Sequence, residues 1–408
     1  MNEFKTWAVS LLDGELKITV KKSRIPLRRL LGFASRQNSK RSFLFVSKIL
    51  GKHYPVRPRL MAWSYRSLAR RILQRQNIGQ SSLWIGMAET ATGLGYGVYE
   101  SARASGLGQS LFLQTTRYQL SGCQRLEFIE AHSHATDFFL YWPEDPLDRE
   151  LFLTAQHLVL IDDEISTGST FLRLIDQYRK INPQLKTVVV ASLVNFASEA
   201  DKCGFERSAT IPVRWVSLLE GQWQFQPAAA DRMPARDDSI RVIGDDTCKK
   251  AILSWPGRLG ISHPITLDPA NVAALLAFLP PVPTDHRPLL ILGTGECNPP
   301  AYLLGRQLER SGLPVIVQAT TRSPIHLGAD IASKIRFTDN YQDGIDNFLY
   351  NIDPAAFRLI VFCHETPLLD EADDVALSFI GLIKQFNGVS AWFSLHKNRY
   401  AEFSFHRP

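Results

Sequence analysis

The second half of this 408-residue chain repeats the first, and this duplication limits the possible folds more than any other sequence feature. Four segments recur in the same order, and over the longest of them 14 residues align without a gap, five of them identical. The paired segments are 83–89 with 290–296, 112–117 with 317–322, 128–141 with 337–350, and 158–164 with 359–365. Matches in a fixed order predict two related domains in tandem.

Each copy alternates short apolar segments with stretches of helical spacing. In the first copy, buried strands are predicted at 83–86, 111–114, 157–161 and 187–193. Helices are predicted near 64–76, at 97–104 and at 169–180. This alternation predicts an α/β fold in which each domain is a mainly parallel sheet flanked by helices.

The domain boundary is expected in the stretch 222–238, which is rich in proline and alanine. We therefore divide the chain into a first domain, 1–230, and a second domain, 231–408. A second proline-rich spacer runs over 279–283.

Composition places the chain among globular proteins, with 45% hydrophobic and 21% charged residues. It contains no apolar run of the roughly 20 residues that a membrane-spanning helix needs. The five cysteines are scattered and form no Cys-x-x-Cys pair, which favours reduced thiols over a disulfide framework or structural zinc. These features predict a cytoplasmic protein without membrane contact.

The net charge of +6 is unevenly distributed, because the stretch from Lys17 to Arg75 is strongly basic and contains no acidic residue. Such a field attracts polyanions, either nucleic acid or a small polyphosphate. A solvated basic face is the simpler alternative, and charge alone does not decide between them.

The most specific chemical signal is the segment 158–170. Four apolar residues lead to Asp162 and Asp163 at a predicted strand end, where open α/β sheets bind ligands. Adjacent carboxylates can accept hydrogen bonds from the vicinal hydroxyls of a ribose. Small residues around Gly168 let backbone N–H groups converge on a phosphate at the next helix N-terminus. The predicted contacts are Asp162, Asp163, Glu164, Ser166, Thr167, Gly168, Ser169 and Thr170.

A strand followed by a capped helix is the purely structural alternative for this segment. It accounts for one aspartate and one serine. It does not explain the Asp162-Asp163 pair or the Thr167–Thr170 run.

The segment 158–170 closely resembles the phosphoribosyl pyrophosphate (PRPP) signature of type I phosphoribosyltransferases. With Ala88-Glu89-Thr90-Ala91-Thr92 and the segment 132–134, it resembles the orotate-phosphoribosyltransferase-related domain of bacterial tellurite-resistance and stress gene clusters. The second half carries Thr321-Arg322-Ser323-Pro324, after which the TRSP domain of that family is named. The resemblance extends from about Arg36 to the C-terminus. It implies a PRPP- and Mg²⁺-dependent transferase that makes or modifies a nucleoside-like metabolite.

By this resemblance, the segment 86–93 is the loop that holds the pyrophosphate of PRPP. Glu89 could reach Mg²⁺ or a bound water. Arg117, at the end of the following strand, suits a pyrophosphate oxygen as a charge-assisted donor, with a structural salt bridge as the alternative. Gly93-x-Gly95-x-Gly97 is a weak hint of a nucleotide loop. Ala88, Thr90 and Thr116 complete the predicted substrate contacts around this loop.

Two further segments are candidates for the site. Residues 130–137 contain His132 and His134, which could bind zinc, belong to a mobile loop that closes over PRPP, or lie on a polar surface loop. Lys52, with Lys48, His53 and Arg57, could form part of a basic N-terminal hood over the acceptor, or simply a basic surface. In both segments these alternatives remain open.

The second copy departs from the pattern at the positions that carry the chemistry. Cys363-His364 replaces the acid pair, and the Thr-Gly-Ser-Thr run has no equivalent. The segment 296–300 is too rich in proline to cradle pyrophosphate as the first copy does. The sequence therefore predicts a degenerate second copy.

The predicted function is phosphoribosyl transfer from PRPP with Mg²⁺, held through Asp162 and Asp163, to an unidentified acceptor. One alternative is a non-catalytic PRPP-sensing regulator whose basic stretch binds nucleic acid. Another is a TRSP half that serves as a scaffold for partner proteins. A homodimer is expected from the resemblance, because type I relatives commonly dimerise.

Overall fold

The computed structural model describes residues 5–37, 41–74, 81–129, 137–228, 239–240, 253–279, 285–368, 378–395 and 400–408. The elements of the first half are β1 (Lys5–Leu11), β2 (Gly14–Ser23), α1 (Leu27–Leu30), β3 (Leu31–Ser35), β4 (Phe43–Ser47), α2 (Pro58–Gln74), β5 (Ser82–Gly86), α3 (Thr92–Ala104), β6 (Ser110–Gln114), β7 (Arg125–Ile129), β8 (Asp137–Tyr141), α4 (Pro146–Thr154), β9 (His157–Ile165), α5 (Ser169–Ile181), β10 (Thr187–Asn195), α6 (Glu199–Ala209) and β11 (Val213–Pro227). Those of the second half are β12 (Thr266–Leu267), α7 (Ala270–Leu276), β13 (Leu289–Gly293), α8 (Asn298–Arg310), β14 (Val315–Ala319), β15 (Lys334–Thr338), β16 (Asp346–Tyr350), β17 (Leu359–His364), α9 (Phe379–Gln385), β18 (Val389–Leu395) and β19 (Tyr400–His406).

The first sheet has the strand order β1-β2-β11-β10-β9-β5-β6. From β11 to β6 neighbouring strands are parallel, and β2 and β1 extend the β11 edge in antiparallel pairing. The strands β5 and β10 are apolar along nearly their whole length and buried. Continuous apolar strands of this kind are typical of parallel sheets covered on both faces.

The second sheet repeats this arrangement. Its order is β12-β19-β18-β17-β13-β14, and the strands from β18 to β14 are parallel. The order β18-β17-β13-β14 matches β10-β9-β5-β6, and the hairpin β15–β16 matches β7–β8. The predicted fold class, two related α/β units in tandem, is confirmed.

Helix α3 begins at Thr92, five residues before the predicted start, and contains all three glycines of the Gly93-x-Gly95-x-Gly97 motif. A Cβ atom on Gly95 would lie 2.6 Å from the Cα of Gly86 in β5, and one on Gly97 would lie 2.1 Å from the Tyr65 ring in α2. These glycines therefore permit close helix–strand and helix–helix contact. Their interpretation as a nucleotide loop was wrong.

The two halves share one continuous apolar core. Helix α8 of the second half packs against α2 and α3 of the first, and the rings of Tyr65 and Tyr302 meet edge to face at 5.0 Å. Val56 and Val317 exchange two backbone hydrogen bonds of 2.9 and 2.8 Å. Within the predicted linker, residues up to Pro227 belong to β11. The division at 230/231 stays a prediction.

The N-terminal part of the first domain folds over the carboxyl edge of the first sheet. We call residues 27–37 and 41–56 the hood; it contains the antiparallel pair β3–β4. On one side the Phe45 ring stacks on Phe196 at 4.5 Å. On the other side, the hood packs against apolar residues of the second domain, including Ile325 and Ile331. The hood thus lies between the first sheet and the second domain.

Several cations of the basic stretch pair with acids from elsewhere in the chain. Arg41 and Lys48 each lie 2.8 Å from a carboxylate oxygen, of Glu164 and Asp330 respectively. Arg59 lies 3.9 Å from Glu309. These pairs weaken the positive field that the composition alone indicates. Among the helices of the described ranges, none is both long enough and apolar enough to cross a bilayer.

Candidate functional site

The site is built where two loops leave neighbouring parallel strands. The strands β5 and β9 are adjacent, and the N–H of Met87 donates to the carbonyl of Ile161 over 2.9 Å. On the other side, the N–H of Ala88 donates to the Thr115 hydroxyl over 2.8 Å. These bonds hold the loop after β5, at residues 87–91, beside the acidic end of β9. Carboxyl ends of parallel strands are the usual ligand site of such sheets.

Asp162, Asp163 and Glu164 lie inside β9, which continues to Ile165 rather than ending at Ile161 as predicted. All three side chains are partly exposed, and the Asp163 N–H donates to an Asp162 carboxylate oxygen over 2.8 Å. Burial raises the pKa of Asp162 well above its usual value, and the Asp163 carboxylate adds to the shift. Burial also raises the pKa of Asp163 and of Glu164. Burial therefore disfavours the charged forms of all three carboxyls.

The turn after β9 leads directly into the N-terminus of α5. Gly168 has a φ of +82°, a left-handed conformation that glycine adopts without steric cost. The hydroxyls of Thr167 and Ser169 are 3.2 Å apart, and Thr167 is exposed. A helix N-terminus presents unpaired N–H groups and partial positive charge to an anion. The turn is therefore suited to a phosphate, and it adjoins the acid pair.

Glu89, in the loop after β5, is contacted by two cations from outside the loop. Lys52 of the hood, with a side chain that is 2% exposed, forms an ion pair with it. Arg322 of the second domain lies 3.8 Å from its other carboxylate oxygen. Arg322 is itself held by Asp343 at 3.0 Å and lies over the Tyr118 ring at 5.0 Å. The loop after β5 therefore has positive groups on two sides.

Lys52 and Arg41 connect the hood to both loops. The positive charge of Lys52 acts on Asp163 as well as on Glu89, and that of Arg41 acts on Asp163 as well as on Glu164. The Arg41 guanidinium also lies over the Phe43 ring at 4.5 Å, which fixes its position in the hood. The predicted contact of Lys52 with the substrate stays a prediction.

Two of the predicted site residues face the second domain. Thr116 has no exposed surface, and its hydroxyl donates to Glu296 over 2.6 Å. The N–H of Arg117 donates to the same carboxylate over 3.0 Å, and its guanidinium lies over the Phe138 ring at 4.3 Å. Their predicted contact with the substrate stays a prediction. His132 and His134 lie outside the described residues, and so does most of the predicted 130–137 metal or loop segment.

In the second domain, the region that corresponds to the loop after β5 is filled by side chains of that same domain. We call this region the second cradle. The Tyr341 hydroxyl donates to the Thr294 carbonyl over 3.2 Å and to Glu365 over 2.8 Å. Its ring lies where a Cβ on Gly295 would be only 2.6 Å away. The two prolines predicted to spoil this loop lie instead in the first turn of α8. The second copy is thus blocked by an aromatic side chain rather than by proline.

The acids of the second cradle are neutralised internally. Arg258, which is 1% exposed, lies 3.0 Å from Glu296 and 2.8 Å from Glu365. His364 replaces Asp163, and both of its ring nitrogens are engaged, by the Thr366 carbonyl and the Ser390 hydroxyl at 2.7 Å. In the first copy the equivalent acids, Glu89 and Glu164, pair with cations of the hood and of the second domain instead.

Sequence reasoning did not place Arg41 or Arg322 at the site. Arg322 was singled out only as part of the second-domain motif, and Arg41 only as one cation of the basic stretch. The one available signal was the repeat itself, since Arg322 aligns with Arg117, which was a predicted site residue.

Family comparison accounts for both halves of the chain. Residues 30–222 match the family model described as phosphoribosyl transferase (PRTase_2). Residues 255–380 match the model of the TRSP domain, described as lying C-terminal to that transferase domain. The chain is a phosphoribosyl transferase domain followed by a TRSP domain. This confirms the architecture predicted from the sequence.

About half of the chain is also similar to solved structures of adenine phosphoribosyltransferases. The enzyme from Giardia lamblia, in complex with 9-deazaadenine, is 17% identical with a TM-score of 0.32, over 47% of this chain and 94% of its own. The Trypanosoma brucei enzyme, in complex with AMP, pyrophosphate and ribose-5-phosphate, is 14% identical with a TM-score of 0.34, over 49% and 83%. None of the curated proteins matches the chain.

Proposed function

We propose that the phosphoribosyl transferase domain binds PRPP with Mg²⁺ and transfers its 5-phosphoribosyl group to an acceptor. One observation carries this proposal. The Asp162-Asp163 pair and the N-terminus of α5 lie beside the Glu89 loop, at one edge of a parallel sheet. Such a site offers acceptors for a sugar diol, amides for a 5-phosphate and cations for a pyrophosphate in one continuous surface.

The residues at the acid pair fit a magnesium ion. Mg²⁺ prefers carboxylate oxygens and retains several waters. Burial raises the pKa of Asp162 and of Asp163, so a cation beside them would favour their charged forms. Asp162 and Asp163 would hold the ion together with PRPP, and the ion would neutralise charge on the leaving pyrophosphate.

The loop after β5 would receive the pyrophosphate. The main chain of Ala88 and Thr90 is close to the Glu89 side chain, and Lys52 and Arg322 supply the positive charge. We propose that the pyrophosphate takes over part of the contact that Glu89 makes with these cations. Charge-assisted hydrogen bonds from such groups are stronger than neutral ones.

In the proposed reaction, the bond from C1 of the ribose to the pyrophosphate oxygen breaks. A bond from C1 to the nucleophile of the acceptor forms, and the acceptor loses a proton. The transition state resembles an oxocarbenium ion, as in other glycosyl transfers. Asp162 and Asp163 would fix the sugar through its diol, and Lys52 and Arg322 would stabilise the departing charge. The hood would exclude water from C1.

Titration calorimetry with PRPP and Mg²⁺ tests the site. The wild-type protein should bind PRPP, and Asp162→Asn with Asp163→Asn should weaken binding by about 100-fold or more, since two charge-assisted hydrogen bonds are lost. Asp176→Asn, which removes an exposed carboxylate further along α5, is the matched control and should bind as wild type does. Unchanged binding in the double variant would show that the site is wrongly assigned.

The stability of the double variant separates lost binding from lost folding. Because the fold raises the pKa of both carboxyls, the charged forms are disfavoured in the folded state at pH 7. Neutral asparagines should therefore leave the free energy of unfolding unchanged or raise it by ~0.5–2 kcal/mol. Release of pyrophosphate from PRPP in the presence of candidate bases then tests turnover and identifies the acceptor. Cytoplasmic location and a link to tellurite or stress resistance stay predictions.

A further inference from the structure

One carboxylate of the TRSP domain gathers donors from three parts of the hood. Asp330 accepts a hydrogen bond from the Phe33 N–H at 2.8 Å and one from the Tyr54 hydroxyl at 3.0 Å. Lys48 lies 2.8 Å from the same carboxylate, and Arg28 lies 3.9 Å from it. These donors come from β3, from the segment before β3 and from the loop after β4. Asp330 therefore joins groups from before, within and after the β3–β4 hairpin to the TRSP domain.

The surroundings of Asp330 are suited to a fixed, charged anchor. The residue is 9% exposed, and burial opposes its ionisation, but the bonds from Lys48, Phe33 and Tyr54 outweigh burial and lower its pKa. Gly32 makes room for it, because a Cβ on Gly32 would lie 2.6 Å from the Asp330 carboxyl carbon. Buried charge-assisted bonds of this kind hold their partners in one geometry.

Backbone and apolar contacts surround the anchor. Arg36 and Ile325 form a β-bridge, and the His326 N–H donates to the Ser35 carbonyl over 2.9 Å. Ala34 of the hood packs in the same apolar cluster as Ile325. One face of the hood is therefore continuous with the TRSP domain.

Two other side chains of the hood touch the loops of the proposed PRPP site. Lys52 pairs with Glu89 in the pyrophosphate loop, and Arg41 pairs with Glu164 beside the acid pair. Lys52 lies four residues after Lys48, which Asp330 holds. A shift of the hood at Asp330 would therefore move the groups that close the site.

We propose that Asp330 is a positioning residue for the transferase site, through which the TRSP domain holds the hood in place over PRPP. The inference rests on the proposed function for its chemical consequence. The contacts between Asp330 and the hood, which we call the tether, do not depend on PRPP.

A loosened hood should admit water to the bound PRPP. Water would then take the place of the acceptor: its oxygen bonds to C1, the bond from C1 to pyrophosphate breaks, and a proton goes to solvent. The products are ribose 5-phosphate and pyrophosphate. A gain of this side reaction is a readout that a general loss of folding cannot produce, because unfolded protein does not bind PRPP.

The experiment uses the full-length chain with Asp330→Asn, and with Lys48→Met, which breaks the tether from the hood side. Hydrogen exchange should become about tenfold faster or more in hood peptides of both variants, as expected for losing one charge-assisted bond, with little change in β5 and β9. PRPP binding should stay within a few-fold of wild type, and PRPP hydrolysis should rise. Glu309→Gln is the matched control, since Glu309 also links the TRSP domain to the basic stretch but contacts α2 through Arg59.

The outcomes distinguish the tether from the proposed function. Hood exchange that stays unchanged in both variants overturns the inference and leaves the proposed function intact. Faster exchange throughout the chain also overturns it, since Asp330 would then be a general stabilising residue. Faster hood exchange with unchanged hydrolysis overturns the positioning role. If the wild-type protein binds no PRPP, the proposed function fails, and the role over PRPP fails with it.

Discussion

Glu164 of the first copy and its equivalent Glu365 of the second both pair with an arginine, whereas the Asp162-Asp163 pair has no acidic equivalent in the second copy. Glu365 aligns with Glu164, and the buried Arg258 neutralises it within the protein core. In the first copy, Asp162 and Asp163 keep raised pKa values, because burial is not offset by enough positive charge. Such an imbalance lowers stability and leaves the site able to bind a cation or hydroxyl groups. On the proposed function, the first copy accepts lower stability in exchange for ligand binding, and the second copy does not.

His53 predicts a pH dependence of stability. Burial first, and then the charges of Lys52 and Arg36, lower its pKa from 6.5 to about 3. Between these values the unfolded chain binds a proton that the folded protein does not, so the free energy of unfolding falls as pH drops from 6.5 towards 3. Urea unfolding at a series of pH values should show a shallower decline for His53→Gln than for wild type.

The exposed His286 supplies the control for this experiment. His286→Gln should follow the wild-type profile. An equally steep decline in His53→Gln would mean that other groups, such as His364 with its pKa lowered to about 4 by burial, carry the effect.

At the scale of elements, the site depends on how β9 passes into α5. The strand continues through the acid pair to Ile165, and a left-handed residue at Gly168 then reverses the chain into the helix. Because this connection is short, the carboxylates of Asp162 and Asp163 lie close along the chain to the backbone amides at the N-terminus of α5. Elsewhere glycine serves packing, as at Gly95 and Gly97 in α3. Glycine is therefore needed at position 168 for its backbone conformation, and at positions 95 and 97 for close packing.

Gly168→Ala tests this connection. Alanine is disfavoured at a φ of +82°, and its Cβ would lie 3.1 Å from the Phe205 ring. The free energy of unfolding should fall by about 1–2 kcal/mol, and PRPP binding should weaken because the turn shifts. Thermal unfolding and calorimetry measure the two effects.

Gly204→Ala is the matched control, since Gly204 lies inside α6 with open space around its Cα. This variant should gain roughly 0.5–1 kcal/mol of stability, because alanine is the better helix former, and should bind PRPP normally. A Gly168→Ala protein that behaves in the same way would show that the left-handed turn is not needed.

At the scale of the whole molecule, the two copies face each other in a reciprocal arrangement. Glu89 of the first copy lies near Arg322 of the second copy. In return Glu296, which aligns with Glu89, accepts a hydrogen bond from the N–H of Arg117, which aligns with Arg322. The bridge between Thr116 and Phe139 likewise recurs between Thr321 and Phe348. The TRSP domain thus contributes to the core of the first domain and, through Arg322, to the proposed site.

Truncation after residue 230 tests this dependence. The fragment would lose Arg258 and Trp255, which are buried partners of Thr116 and Gln114 respectively, and would expose the apolar faces of α2 and α3. We expect aggregation or a poorly folded fragment by size-exclusion chromatography and circular dichroism, because buried polar groups without partners cost about 1–3 kcal/mol each. Co-expression of 231–408 should restore a soluble, PRPP-binding complex. A monodisperse fragment that binds PRPP alone would instead favour the interpretation of the TRSP half as a scaffold.

The sequence by itself determined the duplication, four parallel strands of the first sheet, and the acidic and hydroxyl residues of the β9–α5 connection. These features follow from local rules: apolar periodicity, turn chemistry and the spacing of repeats act over a few residues and can be read along the chain. The predicted strands therefore lie close to β5, β6, β9 and β10. The start of α3 was missed because three glycines in seven residues normally indicate a loop.

Only the tertiary structure decided which groups complete the site. Arg41, Arg322 and Asp330 pair with residues more than a hundred positions away in the chain. Tyr341 likewise fills the second cradle through contacts with residues outside its own segment. No local pattern encodes these contacts, because they depend on how two whole sheets pack against each other. The energy of a charge pair, and the cost of burying a polar group, depend on which partners the packing brings into contact.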